Sequence, residues 1–344
     1  MRKLIPLAIL AILAGCDRPE PTPTPEAIHP LPGLSEEYQA LEEVFAVEAK
    51  TPLRKLTVSA PGLRDAIDGL LNDPEEERLE TARNAWRAVY QNWNRGFVVL
   101  ASLALDDPQR LAALLRSDPL PIMPGYVDSL SEWPESGIVH DVTVPLDRDS
   151  LLAQQDVTAE GEASVGFQVL QFLLFGEPDQ PRTVAELTAT EASEDNAEAA
   201  EAGDEAGLPS NRRRSYLKTT AELLADDLTL LAEPTQINGQ DLIRALSQAL
   251  ALANERLGTL NQLEGQTDPA GGDFLAGESR EIALENLKQA LAFWYSGEGQ
   301  PVLLAVYHGL APEFALALEQ KLEQDPEDIE GISLLLSGRP QVLR

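Results

Sequence analysis

From Leu34 almost to the C-terminus, apolar residues recur at intervals of three and four, and hardly anywhere do they alternate at two. That spacing lines them up on one stripe of a helix, so the chain is expected to be all-α. Leu34, Tyr38, Leu41 and Phe45 make the first stripe, and Leu79, Trp86, Val89 and Trp93 the second. Leu217, Ala221, Leu224, Leu228 and Leu231 make a third, stopped by Pro234. Leu242, Leu246, Ala249, Leu250, Ala253 and Leu257 follow, stopped by Gly258. Ile282, Leu287, Leu291 and Trp294 run to about Gly297, and Phe314, Leu318 and Leu322 come after them. Asp73-Pro74-Glu75-Glu76, Asp107-Pro108 and Asp325-Pro326 read as helix starts, with aspartate as cap and proline in the first turn.

Two stretches depart from the helical period. Residues 118–150 are rich in Pro, Gly, Asp and Ser and are expected to form a long irregular connection, a kind of segment that often carries function. Residues 183–210 are mostly acidic and small, and are expected to be a disordered insert between two helical halves. Gly271-Gly272 reads as a turn before the helix near Ser279.

The 26 basic and 57 acidic side chains give a net charge of −31, which argues against nucleic acid as a partner. The single cysteine excludes an intrachain disulfide framework and a Cys-rich zinc site. His29, His140 and His308 are far apart, and no HExxH helix occurs. Neither a Gly-rich phosphate loop nor a nucleophile elbow is present.

Residues 1–15 read as a signal peptide: Arg2 and Lys3, then an apolar stretch too short to span a bilayer. Leu13-Ala14-Gly15-Cys16 resembles a bacterial lipobox, which makes Cys16 the expected lipidation site and a membrane the expected partner. Asp17, by resemblance to enterobacterial lipoproteins, favours the inner membrane, with the body facing the periplasm. Residues 16–33 alternate proline with polar residues, as an extended tether would, and His29 falls within it.

The segment Gly166-Phe167-Gln168-Val169-Leu170-Gln171, continued by an apolar run to Gly176, resembles the Gly-x-His-x-x-Glu signature of the imelysin family. Trp86-Arg87 and Trp93 resemble that family's early tryptophan helix, and Tyr126-Val127-Asp128 through Trp133-Pro134 its loop before the motif. Arg213 to Leu217, then Ser279 through Asn286 to Tyr295-Ser296-Gly297, resemble its second half. The resemblance implies two four-helix-bundle-like domains, here 34–182 and 211–344, an envelope location and an association with iron supply. Some members were described as metallopeptidases.

At the two signature positions this chain has Gln168 and Gln171 in place of histidine and glutamate. Residues three apart share a helix face, so a glutamine pair keeps the geometry while losing the carboxylate charge and the basic nitrogen. Gly166, Gln168 and Gln171 are therefore expected to be a degenerate form of the signature without catalysis, first a polar pair kept as shape at the bundle interface and second a retained ligand site, with Trp86, Arg87, Asp128, Arg213, Ser279 and Asn286 as candidate cleft residues. Asp128 serves equally as a loop cap, whereas Arg87 and Arg213 are expected first as structural ion pairs and only second as anion holders. No cofactor is expected, although iron or another divalent metal remains an alternative. The leading reading is a non-catalytic binding or scaffold component linked to metal homeostasis, with a small ligand or an envelope protein as partner. The alternatives are a metallopeptidase drawing ligands from Asp128, His140 and a first-helix glutamate (Glu42, Glu43 or Glu48), and a carboxylate-based iron binder.

Overall fold

The computed structural model describes residues 34–159, 161–191, 207–263 and 278–343. The α-helices among them are α1 Ser35–Asn72, α2 Glu76–Ala104, α3 Pro108–Ser117, α4 Pro124–Val127, α5 Arg148–Ala153 and α6 Phe167–Phe175. They continue with α7 Pro209–Ala232, α8 Gly239–Gln262, α9 Glu278–Tyr295, α10 Gln300–Leu310, α11 Pro312–Gln324 and α12 Ile329–Ser337. The fold is all-α. The only strands among the described residues are β1 Gly176–Glu177 and β2 Gln180–Pro181, a short antiparallel hairpin. None of the helices is long and apolar enough to cross a membrane.

The two sequence halves meet along a continuous apolar core. Helix α1 packs on α2 and α7, while α2 also packs on α8 and α9. Helix α1 runs far beyond its first stripe, through Pro52 and Pro61. Its inner row Leu56, Ala60, Leu63 and Ile67 is buried, and that burial offsets the hydrogen bonds the prolines cannot make.

Several boundaries differ from the sequence expectation. Asp73 closes α1 rather than capping α2, and it accepts a hydrogen bond from Arg78 Nε at 3.0 Å. Helix α8 continues past Gly258, where a Cβ would meet open space, because Leu257 and Leu260 still bury. Helix α12 is capped by Asp328, whose Oδ1 accepts from Gly331 N at 2.9 Å, and not by Asp325. Helix α10 had no separate signal, yet Leu303, Val306 and Tyr307 bury from it. The Asp107 cap is as expected, with Oδ1 accepting from Gln109 N at 2.9 Å and Arg110 N at 3.2 Å.

The 118–150 connection is irregular apart from α4 and the start of α5. Of the expected acidic insert, residues 192–206 lie outside the described residues, as do Gly271-Gly272, Cys16, His29 and the tether. Residues 183–191 do not belong to such an insert. Val184–Leu187 form a 3-10 turn with a Thr183–Glu186 capping box, and Leu187 is fully buried.

Candidate functional site: an amide, a carboxylate and an arginine in series

Helix α6 is apolar on every side and is enclosed almost completely, so its two polar side chains must find partners inside the protein. Gly166 sets its start. Its φ is +103°, and a Cβ there would stand 2.6 Å from Arg116 O and 2.7 Å from Ser117 O. No L side chain fits that position without strain. Trp86, from α2, donates its indole Nε1–H to Phe167 O at 2.9 Å and stacks on Tyr90. The tryptophan helix therefore fixes the first turn of the motif helix.

Gln168 is fully buried. Its Nε2 donates to Tyr90 Oη at 2.9 Å and to Asp118 Oδ1 at 2.7 Å. Both hydrogens of the amide are thereby engaged. Arg256, from α8, pairs with the other Asp118 oxygen and donates through Nη1 to the Asp118 carbonyl at 3.3 Å. Its guanidinium lies 5.3 Å from the Phe97 ring centroid. Burial pushes the Asp118 carboxyl upward, against the pull of Arg256, the Gln168 amide and the Tyr90 hydroxyl. Burial beside Asp118 also pushes the Tyr90 hydroxyl well up, so it acts as a neutral hydrogen-bonding group.

Asp118 and Arg256 also line a cavity of about 300 Å³, together with Trp93, Phe97, Leu114 and Leu120. The motif helix thus connects to an accessible cavity through one carboxylate. Gln171 is also buried, and no hydrogen bond joins it to Gln168. The side-chain oxygens of Gln168 and Gln171, with Trp93 Nε1 and Arg256 Nε, are buried polar atoms with no partner among the described residues.

Asp128 and Arg213 come together in a second cluster, not in the cleft beside Gln168. Arg213 approaches the fully buried Asp128 with Nε at 2.5 Å and Nη2 at 3.0 Å, and Arg182 Nη2 adds a contact at 2.9 Å. His140 Nε2 is 3.6 Å from Asp128 Oδ1. Burial alone would raise this carboxyl, but the His140 ring and the Arg213 and Arg182 guanidiniums hold it well below the usual carboxylate range. Asp128 and His140 are therefore neighbours, as a peptidase with unusual ligands would require, but two arginines already occupy the carboxylate. The first-helix glutamates are engaged elsewhere: Glu42 with Gly239 N, Glu43 with Gln39 and Glu48 with Arg95.

Arg87 pairs with Glu80 at 2.9 Å and lies 5.1 Å from the Phe175 ring, at the far end of α6. Asn286 donates to Ile282 O within its own helix at 2.9 Å, and Ser279 is buried near the start of α9. His308 pairs with Glu319 on the surface at 3.2 Å. Sequence reasoning missed Tyr90, Asp118, Arg182 and Arg256. Tyr90 had a usable signal, four residues after Trp86 on the same helix face. Asp118 and Arg256 had none, because 138 residues separate them.

The architecture is that of an all-α protein whose motif helix is buried between its two halves. The chain belongs to the imelysin family: the family model described as Peptidase M75, imelysin, matches residues 52–304. Among solved structures, a putative iron-regulated protein A precursor from Parabacteroides distasonis ATCC 8503 is similar at 15% identity and a TM-score of 0.49. The match covers 89% of this chain and 92% of that one. No curated protein matches the chain.

Proposed function

We propose that this imelysin-family protein is a non-catalytic binding component of the cell envelope, anchored by lipid on Cys16. The observation that carries the reading is the Gln168–Asp118–Arg256 series. A histidine at the first signature position would offer a basic nitrogen to a cation. Gln168 instead gives both amide hydrogens to Tyr90 and Asp118, and Asp118 already holds a cation, the Arg256 guanidinium. A second cation at this carboxylate would be repelled at contact distance. The cavity beside the pair, walled by Trp93, Phe97 and Leu120, suits a small ligand with an apolar body and a hydrogen-bond acceptor. The link to metal homeostasis belongs to the same reading, as a role in sensing or scaffolding rather than in holding the ion at Gln168.

Calorimetric titration with ferrous and zinc ions, beside a protease assay on an unfolded substrate, tests the central claim. No hydrolysis and no tight binding are expected. Micromolar binding that Gln168→Ala abolishes would overturn it. Membrane fractionation tests the anchor: Cys16→Ser is expected to release or mislocalise the protein, and unchanged fractionation would refute lipidation.

A further inference from the structure

Helix α1 carries an outward face unlike the rest of this acidic protein. Residues 49–64 contain Lys50, Arg54, Lys55 and Arg64 and no carboxylate. Among the described residues, Lys50, Arg54, Lys55, Lys218 and Lys288 are the cations with no ion-pair or hydrogen-bond partner, so three of the five fall within six residues of one helix. Among the described residues no carboxylate forms an ion pair with them: Glu48 pairs with Arg95, while Glu42 accepts from Gly239 N and Glu43 from Gln39. In a chain with 57 acidic and 26 basic side chains, unpaired cations gathered in one place are notable.

Apolar side chains stand among these cations. Val47 is 70% exposed and Val58 72% exposed. At 100° per residue, Val47, Lys50, Arg54, Lys55 and Val58 fall within an arc of about 140° on α1. A groove of about 980 Å³ opens along one side of that arc, with Phe45, Ala46, Leu53 and Ile237 in its walls and Lys50 and Arg54 at its edge. Cations flanking exposed aliphatic groups on one helix face match the two layers of a lipid surface, anionic headgroups above acyl chains.

We propose that this face of α1 docks on an anionic lipid surface, with Lys50, Arg54 and Lys55 on headgroups and Val47 and Val58 at the acyl boundary. The strongly negative remainder of the protein is repelled by the same surface, so contact is confined to this face and the body takes one orientation. The proposal rests on the envelope location proposed above and adds to it a direct contact between lipid and the folded body.

The test uses the full-length chain mixed with vesicles of phosphatidylcholine alone or of phosphatidylcholine with phosphatidylglycerol. Flotation reports anchoring, and a membrane-impermeant amine acylating reagent, read by mass spectrometry, reports each lysine. On anionic vesicles Lys50 and Lys55 are expected to react at least about fivefold more slowly than on neutral ones, while Lys218 and Lys288 are unchanged. Arg54→Glu should remove the protection, Arg54→Lys should keep it, and added salt should weaken it. Protein that floats with both vesicle types but keeps Lys50 and Lys55 fully reactive overturns the docking proposal alone. Protein that floats with neither overturns the envelope reading and the docking with it. Equal protection by monomeric short-chain phosphatidylglycerol, or by an acidic peptide without vesicles, also overturns the proposal, since the groove would then be a site for a free ligand.

Discussion

Arg213 and Asp128 are 85 residues apart in sequence, and the guanidinium meets the carboxylate with two nitrogens, at 2.5 and 3.0 Å. The neighbours of Arg213 extend the same function. Arg212 donates to the carbonyls of Ile138, Val139, Asp141 and Val144, and Arg214 to those of Leu187 and Leu71. Three consecutive arginines in the first turns of α7 therefore fasten the irregular 118–150 connection and the 186–187 turn to the helical body. A loop of that length stays ordered because its carbonyls, which have no ladder to join, receive charged donors instead.

Removing the carboxylate leaves two buried guanidiniums without their shared partner. Asp128→Ala is expected to cost about 3–5 kcal/mol, which urea unfolding followed by circular dichroism would measure. Combining it with Arg213→Met should cost less than the sum of the two single changes, because the second substitution removes one of the stranded charges. Additive losses would mean that the pair is not coupled.

The same aspartate sets an acid limit. Its folded pKa is depressed, so between that value and the ordinary carboxylate value near 4 the unfolded chain binds the extra proton. Its stabilisation is therefore complete above about pH 5 and is lost as pH falls through the acidic range. Asp128→Asn should be less stable at neutral pH and should show a flatter stability profile below about pH 4. Equally steep acid profiles in both proteins would assign the effect to other carboxylates.

Gly166→Ala should destabilise strongly. The backbone conformation alone costs about 1–3 kcal/mol, and the new methyl would press on the carbonyls of Arg116 and Ser117. Gly258→Ala, at a helical position open to solvent, is the matched control and should be neutral or stabilising by up to about 1 kcal/mol. Thermal melts of the two variants separate conformational strain from a general intolerance of alanine.

Restoring the family signature should not restore metal binding by itself. In Gln168→His with Gln171→Glu, Arg256 still occupies Asp118. Zinc affinity of about micromolar strength is expected only when Arg256→Gln is added, as read by calorimetry. Tight binding by the double variant would show that Arg256 moves aside readily.

Shortening the acidic stretch should be tolerated only between particular ends. Thr190 and Asn211 already hydrogen-bond each other, with Thr190 N to Asn211 Oδ1 at 3.0 Å and Asn211 Nδ2 to Thr190 O at 2.7 Å. Deleting residues 192–206 therefore changes closure entropy by well under about 1 kcal/mol, and the melting temperature should stay within a few degrees. Extending the deletion to Thr183 removes buried Leu187 and the carbonyls that bind Arg213 and Arg214, and should lower it sharply.

Local periodicity determined the all-α class, the stripes of α1, α2, α7, α8 and α9, and the cap at Asp107, since each depends on residues within a few turns of one another. The buried glutamine pair was also legible, because a polar residue on a helix apolar all round must lie inside. Tertiary structure alone decided what those glutamines face. Gln168 meets Tyr90 from α2 and Asp118 from the end of α3, and Arg256 from α8 completes the series. It also decided that Asp128 serves Arg213 and Arg182 instead of the motif cleft. A charge on a loop carries no mark of the charge it will meet, because that pairing is set by how helices far apart in sequence pack, and the cost of burying either group alone then makes the pairing obligatory.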